Sequence, residues 1–204
     1  MLGYTVVQAT VAKYMPKIRK PPLQTWRTFL ANHVPDIAAI DFFTVPTLTF
    51  GALYGCLVLR HDQRHVVHFN VTQHPTAQWT AQYIVEAFPF DETPRFLLRD
   101  REKLYGAYFR QRVKNMHIEE VVIAPRSPWQ NPYAERLIST PRRELLEHVI
   151  VRNEAHLRRL MTSYLAYYHT VRPHLSLERN APIPRPIQQP SEGKVVSMPH
   201  VGGL

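Results

Sequence analysis

The stretch that most constrains the fold is residues 96–135, from FLLRDREKLYG to SPWQNPYAER, because it sets an Asp and a Glu in two readable local contexts. Phe96, Leu97 and Leu98 form a short apolar run closed by Arg99 and Asp100. This predicts a buried strand with a carboxylate at its C-terminal end, where open α/β sheets place their chemistry. Asn131 followed by Pro132 predicts a helix start. Proline keeps the preceding residue out of the α region, and its missing N–H costs nothing at the first helical position. Glu135 then falls in the first turn, where the helix dipole favours an ionised carboxylate. The 34 residues between Asp100 and Glu135 have room for a helix over about 103–115 and a strand, EVVIA, over 119–123. Together they make one α/β unit that returns the chain to the same sheet edge.

A third acid lies upstream. IAAIDFFTVPT, residues 37–47, sets β-branched and aromatic residues around Asp41 and reads as a strand. An ionised carboxylate inside a strand is expensive unless an edge position, an arginine partner or a metal compensates it. With Asp100 and Glu135 expected at neighbouring element ends, the metal is the better reading. Two further strands, about 50–60 and 64–72, meet at a polar turn of His61, Asp62 and Gln63. Thr76 is placed to cap a helix over about 77–88. Asn153 is placed to cap another, in which Leu157, Leu160, Met161, Tyr164, Leu165 and Tyr168 recur at helical spacing. The expected order is β-β-β-α-β-α-β-α.

LLRD, YGAYFRQ, PRSPWQNPYAER, RREL, EHVI and YYHTVRPHLSL, in this order, resemble the acidic-triad transposases and integrases of the retroviral-integrase superfamily, especially bacterial insertion-sequence transposases. The resemblance covers about residues 20–185. It implies an α/β, ribonuclease-H-like fold, a mixed sheet with helices on both faces. It also implies metal-dependent DNA cleavage and strand transfer, with Asp41, Asp100 and Glu135 as catalytic acids and metal ligands. The metal would be Mg²⁺ or Mn²⁺, as two ions, because hard cations prefer oxygen ligands and a metal pair clamps both oxygens of a phosphoryl displacement. The PRSPWQNP loop, with Arg126, Trp129 and Asn131, would lie near DNA. Ser139 and Arg142 share the Glu135 side of an ideal helix with Arg143 beside them, and either face DNA phosphates or form a solvated helix face.

By the same resemblance, residues 1–33 are expected to be a remnant of an upstream helix-turn-helix module and a basic linker, with a short helix around 8–15. Residues 34–178 would be the catalytic core and 179–204 a proline-rich tail. Self-association is expected. The competing reading is a truncated, catalytically inactive remnant that only binds DNA or associates with an intact transposase.

Composition fits a nucleic-acid partner, since a formal charge of +9 suits a polyanion. The single Cys56 excludes an internal disulfide and a multi-cysteine zinc site and fits a reducing cytosol. Apolar runs are too short to span a bilayer. His61, His65, His68 and His74 are not spaced to share one strand face as a zinc site. Two residues depart from the family pattern. Pro141, six residues after Glu135, should kink the helix at roughly 3 kcal/mol and disturb Arg142, Arg143, Leu145 and Leu146. His117 stands where a glycine is common, in a turn that asks for a left-handed backbone.

Overall fold

The computed structural model describes residues 24–201, apart from 63, 90, 91, 187, 190, 192 and 195. β1 (Ile37–Pro46), β2 (Ala52–Arg60) and β3 (Val66–Thr72) form an antiparallel meander. β4 (Phe96–Arg99) and β5 (Glu119–Val122) add in parallel beyond β1, so the sheet runs β3-β2-β1-β4-β5. It is the mixed sheet that the sequence predicts. Among the described residues, five α-helices surround it: α1 (Trp26–His33), α2 (Ala77–Ala87), α3 (Ala107–Asn115), α4 (Pro132–Glu144) and α5 (Glu154–Thr170).

β1 is central, and its alternation sorts the core into two faces. Ala38 and Ile40 pack with Ala81, Ile84, Phe109 and Val113 of α2 and α3. Phe43 and Val45 pack with Leu137 of α4 and Leu157, Met161 and Tyr164 of α5. Ile37 and Ala39 meet Phe96, Leu98 and Ala134, with Trp26, Phe29 and Leu30 of α1 against them. Position 41 therefore belongs to the face that α4 covers. The helix starts follow the expected chemistry: Thr76 Oγ1 accepts from Trp79 N at 3.1 Å, and Asn153 Oδ1 accepts from His156 N at 2.9 Å.

Several elements differ from expectation. α3 begins at Ala107 rather than near 103, because Gly106 supplies its extended N-cap and Tyr105 is drawn into the core. α1 occupies part of the stretch read as linker, since its aromatic side has a sheet face to cover. The helix expected around 8–15 lies outside the described residues. The proline-rich end folds back on α5: Ile183 N donates to His169 O, Ala181 is buried, and the His200 ring lies 5.5 Å from Tyr167.

α4 runs through Pro141 to Glu144. Tertiary contacts offset the lost backbone bond. Leu137 and Leu145 are buried against α5, and Tyr164 Oη donates to Glu144 Oε2 at 2.6 Å. Arg172 reaches both Glu144 oxygens through Nε and Nη2. His117 takes φ 59°, the left-handed backbone expected of it. Among the described residues, no helix is long and apolar enough to cross a membrane.

Candidate active site

The β1–β4 register pairs Ile37 with Phe96 and Ala39 with Leu98, and the same offset carried two residues on sets Asp41 level with Asp100. Both continue the alternation that faces α4, on adjacent strands about 4.8 Å apart. Glu135, in the first turn of α4, stands over them. Asp41, Asp100 and Glu135 line one cavity of about 470 Å³, together with Phe42, Phe43, Thr44, Tyr54, Glu102, Ile138, Ser139 and Arg142. Three acids spread over 95 residues of sequence thus converge because β4 ends and α4 begins level with the middle of the longer β1.

The carboxylates are held from behind. Phe42 N donates to Asp41 Oδ1 at 2.9 Å, and Glu102 N donates to Asp100 Oδ1 at 3.0 Å. Arg99 is buried on the opposite sheet face, where it pairs with Glu120 and donates through Nη1 to the Asp100 carbonyl at 2.9 Å. Its guanidinium lies 5.1 Å from the centre of the Tyr105 ring, and Tyr105 Oη donates to the Ile40 carbonyl at 3.4 Å. One buried group therefore braces the backbone beneath both aspartates.

Electrostatics mark the site as short of positive charge. Burial pushes the Asp41 carboxyl up to about 7, against the Phe42 N–H that lowers it, and Glu135, Asp100 and Glu102 add like-charge repulsion. Burial and then Asp100 also raise Glu102. The donor set suits a hard divalent cation: four carboxylates line the cavity, with no His or Cys among the lining residues. As they stand, no three His, Cys, Asp or Glu side chains among the described residues are gathered closely enough to clasp an ion.

The other expected residues divide. Arg142 lines the carboxylate cavity. Arg143 is exposed beside it, donating through Nε to Ser139 O. Arg126 lines a neighbouring cavity that shares Asp100, Glu102 and Glu135 with the first. Trp129 is exposed on the same loop, in a 3₁₀ turn over Pro128–Gln130. Asn131 is not on that surface. It is buried, its side chain does not cap α4, and its Oδ1 has no partner among the described residues. Glu102 and Arg99 had no assigned part in the sequence reading, although Glu102 lies two residues beyond Asp100, the spacing of one strand face.

Residues 116–182 match the family model described as an integrase core domain. A comparison with curated proteins finds no match. Among solved structures, the chain superposes on the simian T-cell lymphotropic virus intasome in complex with PP2A regulatory subunit B56 gamma with a TM-score of 0.59 at 13% identity. That alignment covers 78% of this chain and 60% of the other, so this chain spans less than two thirds of that relative. The catalytic domain of Mos1 mariner transposase gives 0.58 at 12% identity, over 69% of this chain and 77% of that domain. The HTLV-2 integrase catalytic core, solved with magnesium in a trimeric form, gives 0.55 at 11%, over 69% and 88%. The chain thus carries a match to an integrase core domain over residues 116–182 and has the fold of integrase and transposase catalytic domains across most of its length.

Proposed function

We propose that the chain is the catalytic core of a DNA transposase or integrase that cleaves DNA strands and transfers their 3′ ends to a target. Asp41, Asp100 and Glu135 are its catalytic acids and metal ligands. The observation that carries this reading is the convergence of the three carboxylates on one cavity, Asp41 within β1, Asp100 just past the end of the parallel β4 and Glu135 in the first turn of α4. The HTLV-2 core was solved with magnesium, and Mos1 with Mg and with Mn, which supports Mg²⁺ or Mn²⁺ here, as two ions. Bound divalent ions would neutralise phosphate charge and stabilise the attacking and leaving oxygens.

The chain's own residues supply placement. The N–H groups of Phe42 and Glu102 orient the two aspartates, and the Arg99 brace fixes the backbone behind them. Ser139 and Arg142 line the same cavity one and two turns from Glu135 and meet the phosphate that enters it. Arg126 and Trp129 hold the flanking strand from the loop before α4, and Arg143 adds a backbone contact beside Arg142. The intasome assembly and the trimeric and dimeric HTLV-2 forms support self-association on DNA.

The test is nicking and strand transfer of a labelled duplex bearing the parent element's end, with Mg²⁺ or Mn²⁺. Asp100→Asn is expected to abolish activity, a larger loss than the roughly 10- to 100-fold that changes behind a ligand produce. Folded but inactive wild-type protein, with Pro141→Leu equally inactive, would instead favour the silent DNA-binding remnant.

A further inference from the structure

The β1–β2 hairpin tip has a feature that the carboxylate site does not use. Phe50 is wholly exposed, and Leu48 and Ile150 beside it are 58% and 70% exposed. Phe50 has φ 59°, a left-handed backbone that a bulky aromatic residue rarely adopts. The conformation is fixed by a network of bonds. Thr47 N donates to Gly51 O at 2.9 Å, Phe50 N to Thr47 O at 3.0 Å, and Gly51 N to Thr47 Oγ1 at 3.1 Å. Leu48 N donates to Val151 O at 2.8 Å, tying the tip to the segment between α4 and α5. A firmly held turn that spends backbone strain to point an aromatic ring into water is built for contact.

The tip also lies at the end of a continuous groove. A second cavity, of about 430 Å³, is lined by Val45, Pro46, Thr47 and Ile150 and shares Thr44 and Arg142 with the carboxylate cavity. The path from Asp41 therefore passes Arg142 and reaches the root of the hairpin. Glu147 is the acidic member of its lining.

We propose that this groove carries a DNA strand away from the carboxylates and that Phe50 stacks on one of its bases. This rests on the reading of the chain as a DNA strand-transfer core. Charge favours DNA over a protein partner, because the groove's entrance is set by Arg142 in a chain of net charge +9. From Asp41 to Pro46 the strand advances about 17 Å at roughly 3.3 Å per residue. Phe50 lies in the turn roughly one to two residue levels beyond Pro46, so at about 3.4 Å per nucleotide step it meets the base about six nucleotides from the phosphate at the carboxylates. An apolar side chain inserted at a base step unstacks it locally.

The experiment scans 2-aminopurine along an oligonucleotide duplex, position by position from the scissile phosphate, with the full chain. Binding is read by anisotropy and local stacking by fluorescence. The wild type should change the fluorescence about six nucleotides from that phosphate and nowhere else on that side. Phe50→Ala should lose the change and bind about tenfold more weakly, whereas Phe50→Trp should retain both, as stacking on any aromatic ring requires. Wild-type affinity and fluorescence unchanged in Phe50→Ala would overturn the proposal while leaving the DNA reading intact. So would a shift of Phe50→Ala from dimer to monomer in light scattering with DNA binding unaltered, which would make the tip a contact between copies. Wild-type protein that binds no DNA would overturn both readings.

Discussion

Asp41 is the residue at which the proposed chemistry works against folding stability. Its carboxylate is largely removed from water among Asp100, Glu102 and Glu135, and its carboxyl is pushed up to about 7. Replacing a partly buried charge with a neutral isostere relieves both desolvation and repulsion. Asp41→Asn is therefore expected to raise the melting temperature of the metal-free protein by several degrees in a thermal melt at pH 8, while removing activity. His61 shows the opposite sign on a group outside the site. It is buried against Tyr133 at 4.8 Å with neither ring nitrogen hydrogen-bonded among the described residues, and burial, then Arg64, lowers it to about 4. Unfolded, it titrates near 6.5, so between pH 6.5 and 4 the unfolded chain binds a proton that the folded chain refuses. Its contribution is whole above 6.5 and is lost as pH falls through that window, on the order of 3 kcal/mol by pH 4. Urea unfolding from pH 7 to 4 should show this slope, and His61→Phe should flatten it. In the sequence His61 sits in a polar turn near His65, His68 and His74, and nothing local distinguishes a buried ring from a solvated one.

At the scale of elements, the latch at the end of α4 explains how a helix survives its proline. Burial raises the Glu144 carboxyl, but hydrogen bonds from Arg172 and Tyr164 and the Arg172 charge outweigh it, and the group ends below its usual range. That stabilisation is present above the unfolded pKa and is lost as pH falls through the folded one. Glu144→Gln should cost about 1 kcal/mol in chemical denaturation, a figure discounted for the group's part exposure, and less in Pro141→Ala, which restores the backbone donor. Gly55 is a second element-scale constraint. A Cβ there would come within 2.5 Å of the Phe43 ring across the β1–β2 pair. Gly55→Ala is expected to lose roughly 1–3 kcal/mol and to disturb the cavity wall that Phe43 forms. Strands and caps were legible because alternation and capping chemistry are local: β1, β4, Thr76 and Asn153 stand where their residue types predict. The consequence of Pro141 was not, because Tyr164 and Arg172, which hold the far end of α4, are 20 and 28 residues from Glu144. α1 was hidden for the same reason, since the sheet face it covers is built from Ile37, Phe96 and Leu98.

At the scale of the whole molecule, the candidate site was legible as one acid within a strand and two at neighbouring element ends, and the fold supplies what turns spacing into convergence: the parallel β1–β4 register and the packing of α4 over it. The fourth carboxylate and the Arg99 brace needed that register to be seen. The net charge of +9 leads to a further expectation. DNA affinity should fall steeply with salt, and Arg142→Ala and Arg143→Ala should each reduce the log–log slope by about one, in anisotropy titrations across a salt series. Asp41, Asp100 and Glu135 are proposed to form together one divalent-cation centre. It is tested most directly by following the free Mn²⁺ signal in electron paramagnetic resonance while the folded protein is titrated into it. The wild type should remove up to about two ions per chain, and Asp41→Asn, Asp100→Asn and Glu135→Gln should each weaken uptake at least roughly tenfold. Equal uptake by all four proteins, or none by any, would contradict that proposal.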